Sequence, residues 1–280
     1  MVQIVASRTV PEATSHVDSV ASDACLLLLG GFDLRIDGRS AVVAVKSQRL
    51  LALLALHERP VERQFVAAKL WMDAPEDRAS GNLRTTLWRI RQISKPLVHA
   101  RSNLLRLSAH VAVDVQELVG LSRRLTVDPS ADSLERCASL CLRGDLLPDW
   151  YDEWVLTDRE RIRQLRLHSL EVICSSLAKA GRFTDALEAG LVAVAAEPLR
   201  ESAQRAVIAV HLAEGNLIEA IQQYDWYRRI LRNELGAKPS RMVLELFEQQ
   251  GPVLLIDGLD STGFKPGSSV ADTSRGMGKS

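Results

Sequence analysis

A segment of this chain recurs after 34 residues, which leaves few folds open to its C-terminal half. Gly181-Arg182-Phe183-x-x-Ala186-Leu187 returns as Gly215-Asn216-Leu217-x-x-Ala220-Ile221. This offset is the period of the tetratricopeptide repeat, in which glycine ends one helix and a small alanine lets neighbouring helices approach. The sequence therefore predicts an all-α repeat domain over residues 116–250, with helices near 116–125, 131–142, 158–180, 184–196, 200–214, 217–234 and 240–250.

The N-terminal half begins with a pattern typical of β-structure. Apolar residues alternate with polar ones over residues 32–36, and the turn pair Asp37-Gly38 follows, which is a strong hairpin signal. Val42, Val43 and Val45 form a further β-prone run. The chain is therefore expected to open with a small antiparallel sheet.

Helical periodicity replaces this pattern at Ser47 and continues over 63–71 and about 78–95. A two-stranded ribbon is predicted next, with its turn at Ser102-Asn103 and its end near Val113. A sheet, three helices and a ribbon are the order of a winged helix-turn-helix with an added N-terminal sheet.

The fold class is therefore mainly α with a small β component. We predict a flexible leader over residues 1–22, a winged-helix DNA-binding domain over 23–115, the helical repeat domain over 116–250 and a flexible tail over 251–280.

Charge is distributed unevenly along the chain, although its 280 residues hold 35 basic and 35 acidic side chains. Residues 23–115 carry 14 basic and 9 acidic groups, whereas residues 116–250 carry 17 and 21. Residues 79–106 hold six Arg or Lys residues and neither Asp nor Glu. Such an acid-free basic stretch indicates a phosphate-binding surface, and a solvated helix face is the alternative.

The third predicted helix has an outward face suited to double-stranded DNA. Steps of 100° per residue place Thr85, Trp88 and Gln92 opposite the apolar side of the helix. Arg can donate to guanine or phosphate, Gln can bridge adenine, and Thr can contact a thymine methyl group. We expect Arg84, Thr85, Arg89 and Gln92 nearest the bases, and Arg91 and Lys95 on phosphates. The remaining candidate DNA-binding residues are Trp88 and, beside the ribbon turn, Arg101 and Arg106.

Each of these assignments has a plainer alternative. Inner leucines and outer arginines are also typical of an ordinary surface helix. Trp88 either covers a sugar of the DNA or packs against the ribbon, and Arg101 and Arg106 are equally suited to protecting a strand edge from aggregation.

Other functional classes find little support. The four cysteines lack a metal-binding or disulfide spacing, which fits a reducing cytoplasm, and Cys137 and Cys141 are expected to be buried thiols. We predict no catalytic residues, no cofactor and no metal, since His, Ser, Cys and carboxylates form no recognised catalytic arrangement. No apolar run is long enough to span a membrane, so no membrane association is expected.

A set of motifs extends over most of the chain. Its residues are Leu29-Gly30-Gly31-Phe32, Lys46, Arg49, Leu50, Leu51, Leu53, Leu54, Leu70-Trp71, Asp73, Asn82-Leu83-Arg84, Leu87-x-x-Ile90-Arg91, Gly144-Asp145-Leu146-Leu147-Pro148, Trp154, Arg159-x-Arg161 and Glu234-Leu235-Gly236-x-x-Pro239-Ser240. Their combination resembles the Streptomyces antibiotic regulatory proteins and the bacterial transcriptional activator domain that follows their winged helix. The resemblance covers about residues 26–250.

This resemblance implies an OmpR-like winged helix in a transcriptional activator that binds repeated promoter sites and contacts RNA polymerase, as a homodimer or as two copies on one site. The DNA-contacting positions of the family carry over onto Arg84, Arg89 and Arg91, and more loosely onto Thr85 and Trp88. The alternative is a protein-interaction scaffold whose winged helix has little DNA affinity.

Overall fold

The computed structural model describes residues 24–93, 96–127 and 130–249. The predicted leader 1–22 and tail 251–280 lie outside this part of the chain. The described elements, in chain order, are β1 (Ala24–Leu27), β2 (Asp33–Ile36), β3 (Arg39–Ser40), α1 (Val45–Leu56), β4 (Val61–Glu62), α2 (Arg63–Leu70), α3 (Glu76–Arg91), β5 (Val98–Arg101), β6 (Leu104–Leu107), β7 (Val111–Val113), α4 (Asp114–Leu125), α5 (Ala131–Cys141), α6 (Glu153–Lys179), α7 (Phe183–Ala196), α8 (Glu201–Glu214), α9 (Leu217–Leu235) and α10 (Arg241–Glu248).

Two small sheets frame the first three helices. The first has the order β3-β2-β1-β7, in which β1 pairs antiparallel with β2 and parallel with β7. The second has the order β4-β6-β5, with β5 and β6 forming the predicted ribbon. This arrangement is the expected winged helix-turn-helix with an N-terminal sheet, and the predicted fold class is confirmed.

The hairpin at Asp37-Gly38 forms as predicted, but the strand expected after it does not. Asp37 and Gly38 both have positive φ, 48° and 75°, as a tight two-residue hairpin turn requires. The third strand is only Arg39–Ser40, and the predicted β-run 42–45 is wrong. Val43 is buried in the core, whereas Val42 is fully exposed. Of the two valines before α1, only Val43 therefore contributes to the core, and neither pairs in a strand.

The C-terminal half is an array of antiparallel helices close to the predicted bounds. Consecutive helices from α6 to α9 pack against one another, and α6 also packs against α8, as expected for a stacked repeat. Gly215 and Gly236 end α8 and α9 in the left-handed conformation, with φ of 87° and 65°. The largest difference is that α6 begins at Glu153, five residues before the predicted start.

A buried carboxylate at the start of α4 holds that helix against the end of β1. Asp114 is 3% exposed and begins α4 directly after β7. Its two oxygens accept hydrogen bonds from the backbone N–H groups of Leu28, Leu29 and Val115 at 2.7–3.1 Å. Burial raises the pKa of the Asp114 carboxyl, and the three N–H groups and Arg143 oppose that rise.

The chain beyond β1 then pairs with a loop of the helical half. The N–H of Gly30 donates to the carbonyl of Asp145 at 2.8 Å, and the N–H of Leu147 donates to the carbonyl of Leu28 at 2.9 Å. Gly30 has φ of 78°, and a side chain there would place its first carbon 2.4 Å from the carbonyl oxygen of Arg143. Glycine is therefore required where the two halves approach each other.

Side chains of the 146–152 loop complete this junction. Arg159 donates to the carbonyls of Leu146, Leu147 and Trp150 and so holds the loop from α6. Arg49 of α1 pairs with Asp152, and the ring of Trp150 stacks on Phe32 with centroids 6.1 Å apart. The buried core is continuous from the N-terminal sheet to α8, which indicates that the two halves are packed as one body.

Replacing Asp114 with Asn is expected to destabilise the whole chain by about 2–4 kcal/mol. The amide keeps the size of the side chain but offers one acceptor oxygen, so buried backbone N–H groups lose their partner. Urea unfolding followed by circular dichroism measures the effect, with the exposed Asp132→Asn as the control, expected within about 0.5 kcal/mol of wild type. Equal stability of D114N and wild type would contradict this role.

Candidate nucleic-acid interface

Helix α3 is held in place by one buried face, which fixes the direction of all its other side chains. Its buried residues pack against α1 and α2 and are Ala79, Leu83, Thr86, Leu87 and Ile90. Thr86 is tolerated inside because its hydroxyl donates to the carbonyl of Asn82 at 2.8 Å. The opposite face is therefore committed to solvent or to a partner.

The outward face has a central row and two basic flanks. At 100° per residue, Gly81, Thr85, Trp88 and Gln92 form the central row, Arg84 and Arg91 lie on one side, and Arg78 and Arg89 lie on the other. These residues are exposed, except for the half-buried Gly81. Arg78 is a basic position that sequence reasoning missed, because the acid-free stretch begins one residue later; the helical projection contains the signal.

The arginines of this face have no acidic partner. Arg84, Arg89 and Arg91 form no ion pair with any carboxylate of the described residues. The helix does contain Glu76 and Asp77, but both lie in its first turn, where negative charge suits the helix dipole, and Glu76 accepts a hydrogen bond from Gln64 at 2.7 Å. The positive charge of the remaining turns is therefore left uncompensated.

The ribbon adds two further unpaired arginines on one face. In the β5–β6 register Arg101 lies opposite Leu104 and Arg106 lies opposite His99, and all four are exposed. The alternate residues Val98 and Leu105 point into the core. Among the described residues neither Arg101 nor Arg106 has an acidic partner, so the sequence-predicted pair shares one solvent-facing side.

Helix α2 supports the tip of the ribbon. The N–H of Arg63 donates to the carbonyl of Asn103 at 2.8 Å, and its guanidinium Nε donates to the carbonyl of Ser102 at 3.3 Å. Ser102 adopts a positive φ of 51° at this turn. The contact fixes the ribbon tip relative to the helices, which sequence analysis did not anticipate because the partners are 39 residues apart.

Trp88 lies mostly in solvent. It is 61% exposed at the centre of the outward face, which favours an open position over packing against the ribbon. Thr85 is also exposed, and its hydroxyl donates to the carbonyl of Gly81 at 3.1 Å, which leaves its methyl group and lone pairs for a partner.

The helix ends earlier than predicted, which changes the surroundings of its last candidates. It runs to Arg91, with Gln92 as its C-terminal cap, and Ile93 closes a tighter turn on the carbonyl of Ile90. Pro96 explains an end before residue 95, because the residue preceding a proline disfavours helical geometry. Lys95 lies outside the described residues.

In the helical half, by contrast, several arginines pair with carboxylates. Arg136, Arg163, Arg182 and Arg200 each pair with at least one carboxylate, for example Arg200 with Glu171 at 2.5 Å. The hydrogen bonds that Arg182 donates to Glu135 and Asp185 raise the pKa of its guanidinium. These four arginines are therefore neutralised within the array, whereas the arginines of α3 and the ribbon have no acidic partner among the described residues.

The described residues offer little for metal or thiol chemistry. They contain no cluster of three His, Cys, Asp or Glu residues suited to a metal ion. Cys137 and Cys141 are fully buried free thiols, as expected, and the hydrogen-bonded neighbour Cys137 together with burial raises the pKa of Cys141. None of the helices in this part of the chain is both long and apolar enough to cross a bilayer.

Comparison with known proteins agrees with this architecture. Residues 113–249 match the model of the bacterial transcriptional activator domain. The regulatory protein AfsR of Streptomyces coelicolor is 28% identical over 226 residues, which is 75% of this chain and 22% of AfsR. The chain therefore spans about a fifth of the length of this relative.

A solved structure of Mycobacterium tuberculosis EmbR, in complex with a low-affinity phosphopeptide, has the same fold. The TM-score is 0.66 at 18% sequence identity, over 81% of this chain and 65% of that chain. Together these findings confirm the resemblance to the Streptomyces antibiotic regulatory proteins.

The exposure of α3 side chains predicts a sharp contrast between two neighbouring positions. Trp88→Ala is expected to change the free energy of unfolding by less than about 0.5 kcal/mol, because most of the indole is already in water. Leu87→Ala, one residue earlier and 7% exposed, is expected to cost about 2–5 kcal/mol. Urea unfolding compares the two variants, and a large loss for W88A would show that the outward face is packed.

Proposed function

We propose that this chain is a sequence-specific DNA-binding transcriptional activator, because residues 113–249 match the model of the bacterial transcriptional activator domain and follow a winged helix. One observation carries the proposal: six exposed arginines on α3 and the ribbon lack an acidic partner among the described residues, namely Arg78, Arg84, Arg89, Arg91, Arg101 and Arg106. Double-stranded DNA supplies regularly spaced phosphates for such a surface.

The proposed docking places α3 in the major groove. A helix in this groove lies between two phosphate backbones, and its central row faces the base edges. The outward face of α3 has this pattern, since Arg84 and Arg91 flank the row on one side and Arg89 lies on the other. Gln92 and Thr85 of the row carry groups suited to adenine and to a thymine methyl group.

The ribbon is proposed to contact the neighbouring backbone or minor groove through Arg101 and Arg106. Strand β6 packs against α1 and Arg63 holds the ribbon tip, so the backbone of the ribbon needs little ordering on binding. Lys95, which lies outside the described residues, is proposed as a further phosphate contact.

The two halves of the chain are proposed to have separate roles. We assign DNA recognition to residues 23–115 and contact with the transcription machinery, including RNA polymerase, to residues 116–250. Two copies on a repeated promoter site, as a homodimer or side by side, are the proposed bound form. Such a regulator acts in the cytoplasm, where bacterial DNA lies.

The affinity for DNA should depend steeply on salt. With about five phosphate contacts, binding of the full chain is expected to weaken by about 10²–10³-fold between about 50 and 200 mM salt. Fluorescence anisotropy on a labelled duplex selected by the protein from a random-sequence pool measures this dependence. Weak binding even at low salt, with no salt dependence, would favour the scaffold alternative.

Single arginine substitutions should separate residues of the DNA interface from the rest of the surface. Arg84→Ala and Arg89→Ala are each expected to weaken binding to the selected duplex by about 1–3 kcal/mol, with unchanged unfolding curves. Arg229→Ala on α9, also an exposed arginine, serves as the matched control and should bind as wild type does. Normal affinity in both α3 variants would remove these residues from the interface.

A further inference from the structure

A second surface with uncompensated positive charge lies on the helical array, away from α3 and the ribbon. Helices α6, α8 and α10 line a groove of about 430 Å³, a volume within the usual range of ligand sites. The groove is therefore lined by alternate helices of the stack, and α7 and α9 contribute none of its lining residues.

Two cations face this groove without an acidic partner. Lys179 at the end of α6 and Arg205 on α8 both line it, and neither forms an ion pair with a described carboxylate. The guanidinium of Arg205 makes one weak contact, from Nη1 to the sulfur of Met242 at 3.6 Å, and its buried Nε has no hydrogen-bond partner among the described residues. Buried or half-buried donors of this kind normally find an acceptor.

Glu171, the acidic residue that lines the groove, does not accept a hydrogen bond from Arg205. Glu171 lines one end, but its carboxylate is bound by Arg200 at 2.5 Å and accepts from the hydroxyl of Ser202 at 2.6 Å. The groove therefore keeps a net positive charge from its two free cations.

The rest of the lining is apolar or carries small hydroxyl groups. Val172, Ala206, Ala209 and Leu246 provide the apolar part. An occupant that matches this surface presents carboxylates to the cations and short aliphatic side chains to the apolar part. A rigid nucleic-acid duplex matches it poorly, because its backbone has charge but few exposed aliphatic groups.

We propose that this groove binds a peptide segment that carries both acidic and aliphatic residues, contributed by a partner protein. Lys179 and Arg205 hold the carboxylates of that segment, and the apolar lining takes its aliphatic side chains. The proposal goes beyond DNA binding and does not depend on it, since none of the α3 or ribbon residues line the groove.

The test uses the full chain and three short fluorescent peptides of equal length. The first alternates Asp or Glu with Leu, the second replaces the acids with Asn and Gln, and the third replaces them with Lys. We expect anisotropy to show binding of the acidic peptide alone. Acidic peptides with free and amidated C-termini distinguish side-chain carboxylates from a terminal carboxylate, and either preference supports the groove as the carboxylate site.

Charge reversal localises the binding. Lys179→Glu is expected to lower the affinity for the acidic peptide by about five- to tenfold, and Arg205→Gln is expected to lower it by a similar factor. Arg232→Glu, an exposed position on α9 outside the groove, is the matched control and should leave peptide affinity unchanged. Thermal unfolding verifies that each variant is folded, and the exposed Lys179 keeps the test valid if R205Q is unstable.

Three outcomes would overturn the proposal. The first is equal binding of the acidic and amide peptides, and the second is unchanged peptide affinity in folded K179E. The third is that a DNA duplex displaces the peptide from the wild-type chain and that K179E no longer binds this duplex. The last outcome would assign the groove to nucleic acid. DNA binding by α3 variants is measured separately, so failure of either proposal leaves the other intact.

Discussion

The carboxylate of Asp114 is the interaction on which the arrangement of this protein depends. It accepts the N–H groups of Leu28 and Leu29, which lie where β1 ends and the chain turns towards the helical half. The next residues pair with the 145–147 loop, and Arg159 holds that loop from α6. Any tilt of the helical array relative to α3 would break several of these buried bonds together. The orientation of the array relative to α3 is thereby determined by contacts within a single chain.

Charge pairing divides the molecule into regions with different uses. In the array most arginines meet a carboxylate, so they contribute to packing and solubility with little net field. On α3 and the ribbon the guanidiniums repel one another and remain because a partner, in our account DNA, compensates them. Lys179 and Arg205 are among the cations of the array that pair with no carboxylate of the described residues, and these two line the same groove.

Periodic features of the sequence predicted much of this structure. The helical projection of α3 correctly placed Leu83 and Leu87 inside and Trp88 outside, because a helix with one apolar side has a single way to pack. The valine run after Asp37-Gly38 was misinterpreted, since β-branched residues before a helix form no ladder without a partner strand. Asp114 gave no local signal, because its partners are 85 and 86 residues away. The sequence also could not predict which arginines pair with a carboxylate, because this depends on tertiary structure. Arg49 pairs with Asp152, whereas Arg84 has no acidic partner among the described residues.

Protection of arginines by DNA is the most direct measurement of the central claim. The full chain is treated with a guanidinium-specific reagent with and without the selected duplex, and modification is quantified at each arginine by mass spectrometry. The account predicts that DNA shields residues 84, 89, 91, 101 and 106, while Arg229 and Arg232 on α9 react equally in both samples. Unchanged reactivity along α3 and the ribbon, or protection centred on the helical array, would contradict it.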